Sequence, residues 1–187
     1  MTAPLTLLKT RKSPKVFDLA APGPRPEEIE EMLTIASRVP DHGKLTPWRF
    51  IIFEGEARER AGEAIAAVFA AGNPDADAER LAIERTRLTR APLVIAVVSK
   101  AGPHAKIPEW EQTLSGAAAA TLLVLSAHAH GYAATWLTEW YAYDARARAA
   151  LGLAEDERFI GFIHIGTLAR PQEDRPRPPL SAIVTRY

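Results

Sequence analysis

The chain contains no cysteine. That excludes disulfides, thiolate nucleophiles, cysteine-ligated metals and iron–sulfur clusters, and it fits a cytoplasmic protein. Net charge is absent too, since 23 basic and 23 acidic side chains cancel. The chain as a whole therefore advertises neither a nucleic-acid partner nor an anionic membrane. The longest stretch of apolar and small residues, 114–127, is too short for a bilayer, which needs about 20 apolar residues. The N-terminus has no basic region followed by a long apolar run, so no secretory signal is expected. No two of the 11 glycines lie two apart, so the G-x-G-x-x-G dinucleotide fingerprint is missing. Gly43-Lys44 is followed by Leu45, which excludes a P-loop, and no G-x-S-x-G elbow exists. None of the histidines (42, 104, 128, 130 and 164) are four apart. His128 and His130 point to different faces of a helix, and a metal site is not expected.

What is present suits one α+β domain over 1–187 with an extended, proline-rich arm over about 168–187. Hydrophobic residues make up 47% of the 187, enough for a core. Helical patterns cover 3–10, 27–39, 56–71, 76–89, 109–129 and 145–151. Asp144 is a good cap for the last of these. Apolar runs at 48–53, 92–98, 131–136 and 158–165 read as strands. The run at 92–98 is continuous, as in a strand covered on both faces. The expected architecture is a small mixed sheet with long helices packed on it. Residues 182–185 suit an edge strand, on this sheet or on a partner's.

The segment Arg11-Lys12-Ser13-Pro14-Lys15-Val16-Phe17 carries three cations and a hydroxyl within five residues. It lies where a short helix gives way to an extended turn, bracketed by apolar residues. Two readings follow from the residues alone. One is a solvated basic turn, the ordinary fate of a charge cluster. The other is a site for an anion with a polar body attached, such as a phosphorylated cofactor.

Arg11-x-Ser13-x-Lys15-x-Phe17 resembles the N-terminal flavin-binding motif of the nitroreductase family. Arg38-Val39-Pro40-Asp41-His42 and Pro47-Trp48-Arg49-Phe50 resemble that family's second block. Ile107-Pro108-Glu109-Trp110-Glu111-Gln112-x-x-Ser115 is similar to a stretch of its smallest, YdjA-like members. Gly131-Tyr132-x-x-x-Trp136 and Ile160-Gly161-Phe162-Ile163-His164-Ile165-Gly166-Thr167 follow in matching order. The resemblance runs from about Leu7 to Thr167.

It implies the nitroreductase fold and an FMN-dependent NAD(P)H oxidoreductase. The reaction would be ping-pong, with hydride passing through flavin N5 to nitroaromatics, quinones or similar electron-poor small molecules. It also implies a homodimer with two FMN sites at the interface. By family position, Arg11 would hold the FMN phosphate through bidentate, charge-assisted hydrogen bonds. Ser13 would donate to the ribityl chain or flavin edge, and Lys12 would contribute mainly its backbone. Lys15 would face the N1/C2 carbonyl edge, where a cation stabilises reduced flavin. Arg38 and His42 would reach the other subunit's flavin. Trp136-Leu137-Thr138 would lie against the flavin, with a backbone N–H near N5. Arg175-Pro176-Arg177 resembles the C-terminal basic pair that larger members use on the phosphate, with Arg177 the stronger candidate. Leu137 and Gly43 stand where relatives carry arginine and, in some, lysine, so the pocket is less cationic. Trp48 is expected to anchor its strand in the core. For Trp140, Tyr141 and Tyr143, roofing the pocket and packing both remain open. Two other functions compete. One is a flavoprotein of this fold with another role, such as dehalogenation, enone reduction or flavin handling. The other is a non-enzymatic dimerisation module whose basic turn binds some other anion.

Overall fold

In the computed structural model, which describes residues 3–187, the chain opens with α1 (Ala3–Thr10) and a 3-10 turn (Val16–Asp18). A two-residue strand, β1 (Leu19–Ala20), follows; it is too short to leave a pattern in the sequence. α2 (Pro26–Ala36) begins on a proline, whose missing N–H costs nothing at that position. The Glu28 carboxylate accepts from the Arg25 N–H at 2.8 Å and secures the start. The helix ends at Ala36, short of the expected 39, with Ser37 as its C-cap and Pro40 soon after.

β2 (Trp48–Glu54), α3 (Glu56–Gly72), α4 (Ala78–Arg85) and β3 (Leu93–Ser99) come next. The side chain of Asp77 caps α4. α4 stops at Arg85 rather than 89, where the Thr86 hydroxyl donates to the Ile83 carbonyl. α5 (Glu109–Ala129), β4 (Ala133–Leu137), α6 (Ala145–Ala150) and β5 (Arg158–Leu168) complete the core. As expected, Asp144 caps α6, accepting from the Arg146 and Ala147 N–H groups.

β5 is the hub of the five-stranded sheet. It pairs with β3 along most of its length, with β4 over Phe162 to Gly166, and with β1 at its last two residues. β2 flanks β3. Every pair is antiparallel, where a mixture of parallel and antiparallel pairs was expected. The reason lies in the connections. Two successive helices join β2 to β3, so the chain re-enters the sheet running the other way. β3 and β4 run the same way but are separated by β5.

The sheet is covered on both faces. Leu93, Ile95 and Val97 of β3 pack with Ile29 and Met32 of α2 and Leu123 of α5. Val94, Ala96 and Val98 point the other way, into a core with Ile65 of α3, Ala147 of α6 and Tyr141. This explains the unbroken apolar run of β3. A third, smaller group joins Val16, Leu19, Ala91 and Ala133, with Leu137 against it. It fastens the N-terminal turn to β4 and is what positions the site. Residues 182–185 do not form a strand. A single 3-10 turn (Leu180–Ala182) follows Pro178 and Pro179, and Ile183 and Val184 remain exposed. Among the described residues, no helix is long and apolar enough to cross a membrane.

Candidate functional site

The turn after α1 and the C-terminal arm meet. The Lys12 ammonium donates to the Gln172 carbonyl, and the Gln172 side-chain amide donates to the Ser13 carbonyl at 2.9 Å. These bonds close a cleft of about 90 Å³. Arg11, Lys12 and Ser13 line one wall, and Arg175 and Arg177 line the other. The cleft is far below the roughly 300–1,000 Å³ of a whole small-molecule pocket. Its size suits one anionic group. Two carboxylates, Glu173 and Asp174, also reach it, and Arg177 is held by Asp174 at 2.9 Å. Arg11 reaches the Ser13 hydroxyl only at a stretched 3.4 Å. Its donors are therefore not committed to a strong internal partner.

A second cleft shares Arg11 and Lys12 and adds His128, from the last turn of α5. The His128 Nε2 is buried without a hydrogen-bond partner. Burial, and then the charge of Arg11, push its pKa below the ordinary histidine value. It is a neutral, polar neighbour of the cationic turn. Sequence reasoning missed this residue, and spacing offered no clue, since α1 and α5 come together only in the folded chain.

Lys15 is extended (φ −63°, ψ 139°) and exposed, just ahead of the buried Val16. The apolar group around Val16 takes in Leu137 of β4, so the turn and the end of β4 are neighbours within one chain. Leu137 is thus an apolar support for that turn. The Trp136 indole N–H donates to the Ile160 carbonyl at 3.2 Å. The ring lies over Gly161 so closely that a Cβ there would fall 2.0 Å from Nε1. Gly161 also adjoins a β-bulge, where the β3–β5 register slips past Ile160. Thr138, exposed and outside any element, follows β4.

Arg38 and His42 are not brought to the Arg11 cleft in one chain. Arg38 is exposed at the end of α2. His42 bonds Glu111 of α5 at 2.7 Å beside another cleft, lined by Pro40, Leu114, Ser115 and Ala118. That loop is strained. Lys44 and Thr46 have φ of 56° and 47°, a region that a β-branched residue rarely enters. The Asp41 carboxylate holds the loop by accepting from the Leu45 and Thr46 N–H groups at 3.1 and 2.8 Å. Trp48 is the core anchor expected of it, donating to the Ser115 hydroxyl at 3.1 Å. Tyr141 is fully buried, and Trp140 bonds the buried Glu84 at 2.8 Å, so both pack; Tyr143 is exposed.

Comparison with known proteins gives a consistent picture. The model of the nitroreductase family matches residues 8–167. The chain is 40% identical over 164 residues to the "Putative NAD(P)H nitroreductase" of Haemophilus influenzae, covering 87% of each chain. It is 35% identical over 165 residues to the "Putative NAD(P)H nitroreductase YdjA" of Escherichia coli K12, again covering 87% of each. Its fold matches a crystal structure of the FMN and NADPH-dependent nitroreductase NfnB from a Sphigopyxis strain. The TM-score there is 0.75, with 21% identity and 98% of both chains covered. The chain belongs to the nitroreductase family.

Proposed function

We propose that this chain is an FMN-dependent NAD(P)H oxidoreductase of the cytoplasm, one nitroreductase-like domain with a C-terminal arm. Its acceptors would be nitroaromatics, quinones or similar electron-poor small molecules. The observation that carries the proposal is the cationic cleft. Arg11 lies on one wall, Arg175 and Arg177 on the other, although more than 160 residues separate the two walls in sequence. An FMN phosphate would suit that charge.

When bound, FMN would supply the two-electron chemistry between a reduced nicotinamide and the acceptor. The chain's own residues would hold and tune it. Arg11 and Arg177 would grip the phosphate, with Arg175 and the Lys12 backbone close by. Ser13 would anchor the polar chain, and Lys15 would offset negative charge at the ring edge. Trp136, Leu137 and Thr138 would back the ring. A nicotinamide held by stacking needs no dinucleotide crevice, in keeping with the missing glycine fingerprint.

A homodimer belongs to the same reading. Arg38 and His42 lie away from the Arg11 cleft in their own chain, so a second chain is what would bring them to it. Trp110 and Leu114 of α5, 69% and 47% exposed, offer an apolar face beside His42 for that contact.

The test is FMN affinity by fluorescence titration. Arg11→Ala and Arg177→Ala should each weaken binding roughly 10- to 100-fold, the loss of a charge-assisted hydrogen bond. Unchanged affinity in both would show that this cleft is not the phosphate site.

A further inference from the structure

We propose that Arg90 is a positioning residue that couples the two halves of the flavin site, the Lys15 turn and the end of β4. The inference rests on the FMN reading above. Arg90 lies between α4 and β3, its side chain only 7% exposed. On one side its guanidinium donates to Glu139 at 2.9 Å. Glu139 directly follows Thr138, so this bond fixes where the chain goes as it leaves β4. The same carboxylate oxygen accepts from Arg87 at 2.9 Å. Arg87 in turn grips the fully buried Glu84 through two bonds, at 2.9 and 2.7 Å. Glu139 is thereby tied to the end of α4.

On its other side the Arg90 guanidinium lies 5.2 Å from the centre of the Phe17 ring. Phe17 is 76% exposed and two residues past Lys15. The next residue, Ala91, packs with Val16, and Leu137 lies against the same group. One side chain and its neighbour therefore touch both segments that would meet the flavin.

Stability alone explains this arrangement poorly. Buried ion pairs return little over apolar packing. This one also leaves Arg90 Nε and Glu139 Oε2 buried without hydrogen-bond partners. A fixed orientation for Glu139 and Phe17 is what the geometry provides.

The test is a double-mutant cycle on FMN affinity, using wild type, Arg90→Met, Phe17→Leu and the double variant, with melting temperature as control. Each single change should weaken FMN binding about three- to fivefold, the scale of a cation–π contact to a largely exposed ring. The double variant should lose clearly less than the product of the two. Arg90→Lys keeps a charge for Glu139 without the flat guanidinium. It should recover part of the affinity, and it enters the cycle in place of Arg90→Met if that variant does not fold. Phe17→Leu changes an exposed ring and should melt like wild type. Wild-type affinity in the Arg90 variant, or losses that multiply independently, would overturn the coupling. Failure of wild type to bind FMN would instead overturn the cofactor reading on which it rests.

Discussion

Glu157 accepts two hydrogen bonds from the Arg49 guanidinium, both at 2.6 Å, and one from the Ala154 N–H at 2.9 Å. The bonds to Arg49, outweighing the cost of burial, hold its pKa at about 2. His164 is the opposite case. It is fully buried at the centre of β5, with neither ring nitrogen bonded. Burial, with the nearby charge of Arg90, lowers its pKa to about 3. Both folded values lie below the unfolded ones, so both groups contribute stability above their unfolded pKa and lose it as pH falls. For His164 the loss begins near its ordinary 6.5 and runs down to about 3; for Glu157 it begins near 4.5. Melting temperature should therefore decline from about pH 6.5 downward, and His164→Leu should flatten the upper part of that decline. An unchanged slope in the variant would show that His164 is not the group responsible. Little of this was legible in the sequence. His164 appeared as one letter in a strand, and its charge state depends on a sheet that buries it. The roles proposed for Arg11, Ser13 and Lys15 could be read from the sequence because those residues lie within one short segment. Those of His128, Arg90 and Glu139 could not, because each acts on residues far away along the chain.

Elements with a continuous apolar run or a capping residue were readable: β2, β3 and β5 from their cores, α6 from Asp144. Element ends were less so, since α2 and α4 stop a few residues short of where the apolar pattern runs. The antiparallel sheet could not be read from strand composition, because a strand buried on both faces looks the same in either direction. One close approach sets the packing of α3 on α4. A Cβ on Gly62 would fall 1.9 Å from the Arg85 carbonyl oxygen. That is backbone at the end of α4 and cannot swing aside. Gly62→Ala should cost about 1–3 kcal/mol by overpacking, despite the better helix propensity of alanine. Chemical denaturation measures it. A stabilised variant would mean that α4 shifts freely, and with it the Glu84–Arg87 anchor.

Across the whole molecule, the proposed dimer would complete the proposed cofactor site, joining the α5 face beside His42 to the cleft of a second chain. Leu114→Glu puts a charge on the exposed face of α5, away from the Arg11 cleft. Sedimentation should find wild type at about twice the 20.4 kDa chain mass and the variant shifted toward monomer. A monomeric wild type would remove the role proposed for Arg38 and His42. The central claim concerns the cleft where the first turn meets the last arm, and it is tested most directly by the visible spectrum of the purified protein, taken with added FMN and again after denaturation. The predicted result is a bound-flavin spectrum, with free FMN released on unfolding. A colourless protein that takes up no FMN would contradict it.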